Sequence, residues 1–400
     1  SNDDAYLRRI NANTAGGHNF RGKKGQYIPV VHDSPGLVIR EPTPKLARSV
    51  LSILGKYSAG QSSGVRYKAS LKDEVRELSK CKTGNTRLFY ISPLDNLLVS
   101  RMFLCPFYTL MQQHSDIFCC AIGIDMQSSA KYVRDRLGDY NMEGDFSQFD
   151  VSMPPEIGLA ASTVVYEVLR EFGYNNEALR NVSGLMTDGL FPRVEVTKDV
   201  YEIPGLQPSG KYATAEDNSL RNVIMLMYAW NRLCPDLNFF SHVIPTVYGD
   251  DLLAAVDEKA VGSFNNLTFA HICATEFKLK YTPASKTGEL LPFLGPSDVT
   301  FLKRSLRWRE DLGKWVAPLD LDSISKALSW VEPSDHVTSE DQMRSTWASM
   351  SRELFFHCDS TTYASVTRRI AQSISENCAG GSDVLTVPFD TLASSIWGEH

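Results

Sequence analysis

The sequence predicts an α+β protein in which a small antiparallel sheet carries the chemistry and amphipathic helices surround it. Three stretches carry that prediction. Residues 243–256, VIPTVYGDDLLAAV, are two apolar β-rich runs flanking Tyr248-Gly249-Asp250-Asp251, the pattern of a hairpin closed by a tight glycine turn. Residues 141–150, NMEGDFSQFD, read as a strand end running into a turn, with Asp145 at the carboxyl end where carboxylates are placed for ligands. Residues 311–400 repeat apolar positions at helical spacing and predict a separate helical lobe.

Composition bounds the reading. A chain of 400 residues at 43% hydrophobic content has an ample core for two or three domains, or for one multi-lobed body. No run approaches the roughly 18 consecutive apolar residues that span a bilayer, and the opening SNDDAYLRRI lacks an apolar signal region. The expectation is a soluble protein without an address of its own. Eight scattered cysteines, with Cys119-Cys120 the one close pair, fit neither a zinc pattern nor a disulfide framework and are expected to be reduced core thiols. The net charge of -6 hides clustering: seven basic residues against three acidic ones lie between Arg66 and Arg87, and four more basic residues lie between Phe301 and Arg309. Basic strips on an acidic body suit a channel for a polyanion, although solvated surface faces have the same signature.

In chain order, residues 1–65 are loop-rich, with glycines beside lysines at 22–25 and a helix expected over 44–54. The dense basic segment 72–87 leads to a long apolar helix over 94–113. Pro154-Pro155 open another helix that Gly173 stops. A Pro/Gly/Ser loop at 203–213 runs into a helix whose Thr214, Asn218 and Arg221 or Asn222 form one polar face, opposite Leu220, Ile224, Met227 and Trp230. After the hairpin, a helix is expected over 261–277 and a strand over 299–308 with FLKR at its centre. Residues 339–342 read as a capping box ahead of Met343, Trp347, Met350 and Leu354, and Gly380-Gly381 close the last lobe.

Two adjacent carboxylates at a turn between buried strands raise each other's pKa unless a cation lies between them. Asp145 converges on them if its strand is their neighbour in one sheet, and a pair of divalent ions that clamps attacking and leaving oxygens needs this supply of carboxylates. A solvated Asp-Gly turn is the plain alternative for the hairpin taken by itself.

GDFSQFD (144–150), PSGKYATAEDNS (208–219), YGDD (248–251), TPASK (282–286) and FLKR (301–304), in this order, resemble motifs A to E of the viral RNA-dependent RNA polymerases of the picornavirus-like group. KDEVRELSKCKTGNTR (72–87) is similar to their motif F, and Thr14-Ala15-Gly16-Gly17 with Gly22-Lys23-Lys24 is more loosely similar to motif G, so the resemblance covers about residues 14–310. It implies a right-hand fold: fingers over 1–135, palm over 136–174, a fingers insertion over 175–200, palm again over 201–310, and a helical thumb over 311–400.

The resemblance also implies roles. Asp145 and Asp250 would be the main ligands of two Mg²⁺ ions, with Mn²⁺ able to substitute and Asp251 a weaker third ligand. Asp150 and Asn218, with Ser209 and Thr214 nearby, would read the ribose; a carboxylate and an amide matched to a 2′-hydroxyl are left unmatched by a deoxyribose. Lys72, Arg76, Lys80 and Arg87 would neutralise the triphosphate, Arg87 foremost because a guanidinium clamps phosphate bidentately. Lys286 would protonate the leaving pyrophosphate or act as a simple counter-charge. Gly210, Lys303 and Arg304 would contact RNA, the last two holding the primer. The implied partners are RNA template and primer, rNTPs and other viral replication proteins, with initiation left open between a protein primer, an oligonucleotide and no primer; no direct membrane insertion is implied, and the implied place is the host cytoplasm at replication complexes. The short stretch ahead of the motif G candidate departs from relatives that bridge fingers to thumb there.

A reverse transcriptase also places a Y-x-D-D turn beside a strand-end aspartate, but the Asp150 and Asn218 pair argues against it. An idle RNA-binding scaffold is the other rival, opposed by the full set of carboxylates. No GxxxxGK[ST], HExxH or GxSxG motif offers another chemistry.

Overall fold

The aspartate-bearing strands pair into one four-stranded sheet in the order Lys280–Thr282, Asn141–Ser147, Asp251–Val256, Val243–Tyr248. The structure, a computed structural model, describes residues 9–34, 37–285, 288–334, 337–377 and 386–398. Asn141–Ser147 is buried on both faces apart from its last residue, as expected of a strand with layers on either side. Its Phe146 ring packs against Phe149, Tyr281 and Phe269 with centroids 5.0, 5.1 and 6.2 Å away. Gly144 lies under Tyr281, where an added Cβ would come within 2.1 Å of the ring.

A second four-stranded sheet has the order Leu88–Ile91, Arg66–Leu71, Arg193–Val196, Asp199–Glu202. Leu88–Ile91 runs antiparallel to Arg66–Leu71, and Arg193–Val196 runs parallel to it. Residues 72–87 are therefore the connection of an antiparallel pair, closed at its base by the bond from Lys72 N–H to the Arg87 carbonyl at 2.9 Å. Helices Pro44–Ser58, Leu94–Gln113, Pro155–Glu171, Asn176–Leu190 and Thr214–Leu233 share one apolar core that includes Tyr57, Phe107, Val165, Val182 and Leu220. Asp188 ties that core to the segment after the first of these helices by accepting from Tyr57 Oη at 2.8 Å, Ser62 Oγ at 2.7 Å and Ser63 N at 3.1 Å.

The described residues divide into two compact units. One lies within Ser1–Gly123, Gly144–Leu253 and Glu258–Pro292, and the other within Ile124–Glu143, Ala254–Asp257 and Phe293–His400. The second unit holds helices Leu321–Leu328, Ser339–Phe355, Ser360–Asn377 and Phe389–Trp397, with Val316, Phe355, Phe356, Tyr363 and Leu392 at its core. Among the described residues no helix is long and apolar enough to cross a membrane.

Four local expectations are corrected. The strand expected over 299–308 is two short strands, Thr300–Phe301 and Arg304–Ser305, because Leu302 and Lys303 take φ of 54° and 60° and turn the chain back on itself. The helix expected from 261 begins at Asn266, where the Asn265 side chain accepts from Leu267 N and Thr268 N, and after Ile272 it widens into a π turn over Cys273–Phe277. The cap of Ser339–Phe355 is Thr338, which accepts from Asp341 N at 3.1 Å, one residue ahead of the expected box. The boundary expected at 310 falls inside the hairpin of Arg307–Arg309 with Lys314–Val316. Lys286 and the Gly380-Gly381 pair lie outside the described residues.

Candidate active site

Gly249 turns the hairpin with φ 64°, and an added Cβ there would meet nothing within 4 Å. Glycine is needed for the left-handed backbone, which an L side chain adopts at roughly 1 kcal/mol or more. The turn is then fixed from one side by the Thr214–Leu233 helix. Gly249 N–H donates to Ser219 Oγ at 2.8 Å, while Asn222 Nδ2 donates to the carbonyls of Gly249 and Asp250, both at 3.3 Å. Ser219 Oγ in turn donates to the Ala215 carbonyl at 2.8 Å, so both its hydrogen-bonding roles are filled.

Asp145 is buried in Asn141–Ser147, with its backbone opposite Thr282, whose Oγ1 donates to the Asp145 carbonyl at 3.3 Å. Val256 N–H donates to the Tyr140 carbonyl at 2.9 Å and aligns the far ends of the two central strands. With these strands antiparallel, their near ends carry Asp145 and Asp251 side by side. Among the described residues no three His, Cys, Asp or Glu side chains close into a metal cage by themselves. Magnesium does not require one: it keeps several waters and binds through one or two carboxylates together with substrate phosphates. Half-buried Asp250 and Asp251 next to Asp145 are a donor set of that kind.

Gln148, with φ 58°, bends the chain from the Asp145 strand into the short helix Phe149–Ser152 and presents Asp150 to the Thr214–Leu233 helix. Asn218 Nδ2 donates to Asp150 Oδ1 at 2.8 Å, while the buried Asn218 Oδ1 has no partner. Burial pushes the Asp150 carboxyl up from its ordinary value, and the Asn218 hydrogen bond and the Arg221 charge pull against that rise.

Ser209, Gly210 and Thr214 shape the preceding loop. Ser209 Oγ accepts from Tyr90 N at 3.2 Å, and Thr214 Oγ1 donates to the carbonyls of Pro208, Ser209 and Lys211 at 3.2, 3.4 and 2.8 Å. An added Cβ at Gly210 would lie 2.0 Å from the Tyr90 carbonyl oxygen, so glycine permits the loop to touch the Leu88–Ile91 strand.

In the basic segment, Glu74 gathers the cations. Arg87 grips it bidentately, Nε to Oε1 at 2.7 Å and Nη2 to Oε2, with Lys72 and Arg76 at 3.4 and 3.7 Å. The Arg87 hydrogen bonds, with help from Lys72, hold the Glu74 carboxyl down at about 2. Arg87 is raised by the same bonds and also by the charge of Asp250, which brings the basic segment within electrostatic reach of the aspartate turn. Lys80 pairs instead with Glu77 at 3.2 Å.

Lys303 and Arg304 belong to the second unit. Lys303 is exposed at the hairpin tip. Arg304 has a side chain 13% exposed, and its guanidinium donates twice to Glu353 at 2.8 and 2.7 Å and once to the Ala317 carbonyl at 2.8 Å. Glu74, Ser219 and Asn222 are the functional candidates that sequence reasoning did not assign; Asn222 had been placed on the polar helix face without a role.

A glycine-turned aspartate pair braced by one helix, with a third aspartate on the next strand, belongs to the right-hand polymerase fold. The chain belongs to the viral RNA-dependent RNA polymerase family, whose model matches residues 4–357. It is 29% identical over 356 residues to the replicase polyprotein of Drosophila C virus and 26% identical over 333 residues to the genome polyprotein of Human parechovirus 2, alignments that cover 83% and 82% of this chain but 20% and 14% of those polyproteins. The chain therefore spans a fifth or less of the length of these relatives. The Sicinivirus 3Dpol RNA dependent RNA polymerase has the same fold, with a TM-score of 0.80 over 99% of this chain and 79% of that one at 20% identity.

Proposed function

We propose that this chain copies viral RNA by template-directed transfer of nucleotides from rNTPs to an RNA 3′-hydroxyl. The observation that carries the reading is one helix bracing two chemistries: Asn218 holds Asp150, while Ser219 and Asn222 hold the Gly249-Asp250 turn. The spacing between a sugar reader and the metal-ligand turn is thereby set by a rigid element.

In the reaction the 3′-oxygen bonds to the α-phosphorus and loses its proton, and the bond from that phosphorus to the β-phosphate oxygen breaks as pyrophosphate leaves. Asp145, Asp250 and Asp251 would hold two Mg²⁺ ions, for which Mn²⁺ can substitute, and the bound ions would neutralise charge on the attacking and leaving oxygens. Asp150 accepts from the ribose 2′-hydroxyl, and the Asn218 Nδ2 that holds that carboxylate has a second hydrogen to donate to the 2′-oxygen. A deoxyribose leaves these buried groups unmatched. Arg87, Lys72 and Arg76 exchange part of their hold on Glu74 for the triphosphate, with Lys80 alongside. Lys286 supplies charge or a proton to pyrophosphate, and Lys303 contacts the primer strand. The partners are RNA template and primer and other viral replication proteins, at replication complexes in the host cytoplasm, and a protein primer is one of the initiation modes open to it.

Primer extension on a homopolymeric RNA template, with rNTPs or dNTPs and with Mg²⁺ or Mn²⁺, tests this. The wild type is expected to extend with rNTPs and Asp250→Asn to lose at least about 10³-fold in rate. Extension with dNTPs in preference to rNTPs, or RNA binding without extension in either metal, would overturn it.

A further inference from the structure

Behind the Asp150 and Asn218 pair lies a buried cluster of charge that the reaction does not touch. A single oxygen, Asp217 Oδ2, accepts from Gln207 Nε2 at 2.6 Å, Lys211 Nζ at 3.1 Å and Arg221 Nη2 at 3.1 Å. Gln207 Oε1 lies 3.4 Å from the lysine and 3.5 Å from the arginine. Arg221 is only 1% exposed, and its Nε and Nη1 have no hydrogen-bond partner. A buried guanidinium with two idle donors is a costly arrangement that a plain packing role does not explain.

The cluster is connected to the sugar reader in three ways. Gln207, whose side chain Asp217 holds, donates its backbone N–H to the Asp150 carbonyl at 2.7 Å. Asn218, which holds the Asp150 carboxylate, follows Asp217 directly on the same helix. Two cations around one carboxylate leave an excess positive charge, and the Asp150 carboxylate feels Arg221. Burial pushes the Asp217 carboxyl up, but Arg221, Lys211 and Gln207 overcome it and hold it well below the ordinary range.

We infer that Arg221, acting through Asp217 and Gln207, is a positioning residue for sugar selection: it fixes the backbone and orients the carboxylate of Asp150 without touching the nucleotide. The inference rests on the reading of Asp150 as the ribose acceptor. It makes the preference for ribonucleotides depend on a buried charge on the far side of the residue that reads the sugar.

The test is single-nucleotide incorporation by the full chain, measured as kcat and KM for an rNTP and the matching dNTP. The variants are Arg221→Met, Arg221→Lys, Asp150→Asn and the double variant Arg221→Met with Asp150→Asn. Arg221→Met is expected to lower the rNTP to dNTP ratio of kcat/KM by about tenfold, the scale of an outer-shell positioning group. The loss should lie in the rNTP arm, and Arg221→Lys should restore part of it. In the double variant the two losses should not multiply, because both act on one group. If Arg221→Met does not fold, Lys211→Met removes the more accessible cation and is expected to give a smaller fall of the same kind. An unchanged ratio in a folded Arg221→Met or Lys211→Met, or losses that multiply fully in the double variant, would overturn the inference while leaving Asp150 its role. An unchanged ratio in Asp150→Asn alone would instead remove the ribose reading, and the inference with it.

Discussion

Two carboxylates in this protein, Glu74 and Asp217, each gather more cations than one negative charge balances, and they differ in depth. Glu74 is half-buried near the surface, its side chain 18% exposed among Lys72, Arg76 and Arg87, while Asp217 is 5% exposed and lies with Lys211 and Arg221. Exposed ion pairs are screened and exchange partners readily, with net contributions of roughly 0.2–1 kcal/mol each. Buried ones hold position, because removing either partner strands a charge in low dielectric. The difference matches what each place has to do. On the proposed function the basic segment would release its cations to a triphosphate that comes and goes, whereas the Asp217 cluster would brace a loop and a sugar reader that must not move.

The sharpest way to break that contrast is to remove the buried anion. Asp217→Leu leaves Lys211 and Arg221 without their shared acceptor and is expected to lower stability by about 3–5 kcal/mol in denaturant unfolding. Adding Arg221→Met to the same chain should recover part of the loss, since the more deeply buried stranded charge goes with it. Unchanged stability in Asp217→Leu would mean that the cluster is not an ionic brace at all.

Next in size is the brace on the aspartate turn. Ser219→Ala leaves the buried Gly249 N–H without an acceptor and is expected to cost about 1–3 kcal/mol, together with a fall in kcat for which KM changes little, because the turn proposed to hold the metal ions is displaced. A lowered KM with unchanged kcat would show that Ser219 does not act through the turn.

Legibility in the sequence follows the same division between local and distant causes. The hairpin of residues 243–256, the Asp145 strand and the Thr214–Leu233 helix were readable because a turn glycine, apolar β-rich runs and helical spacing are local signals. The Leu302-Lys303 turn was not, because neither residue advertises a left-handed backbone. Glu74 was hidden for another reason: a run of charges records which residues are basic but not which acid they converge on after a loop has closed. The partner of Arg304 was hidden in the same way, since Glu353 lies in a helix distant in sequence. Ser219 and Asn222 hydrogen-bond to backbone, which has no sequence signature; the usable hint was small polar residues on a helix face otherwise suited to burial.

The smallest effect is expected at the surface carboxylate, and it is also the most sensitive to conditions. The Glu74 carboxyl is held at about 2, below its ordinary 4.5, first by its hydrogen bonds to Arg87. A depressed carboxyl contributes stability that is fully present above the unfolded value and is lost as pH falls through the folded one, so its contribution should fade between about pH 4.5 and pH 2. Glu74→Gln should therefore lower stability by under about 1 kcal/mol near neutral pH, with the difference from wild type closing as the pH falls through that window and narrowing in about 1 M salt, where the Debye length is down to about 3 Å. The same substitution frees Arg87, Lys72 and Arg76, so the KM for rNTP should fall at low salt while the rNTP to dNTP ratio stays where it was. A change in sugar preference from Glu74→Gln would mean that the surface cations and the buried cluster are coupled, and the division of labour between the two carboxylates would not hold.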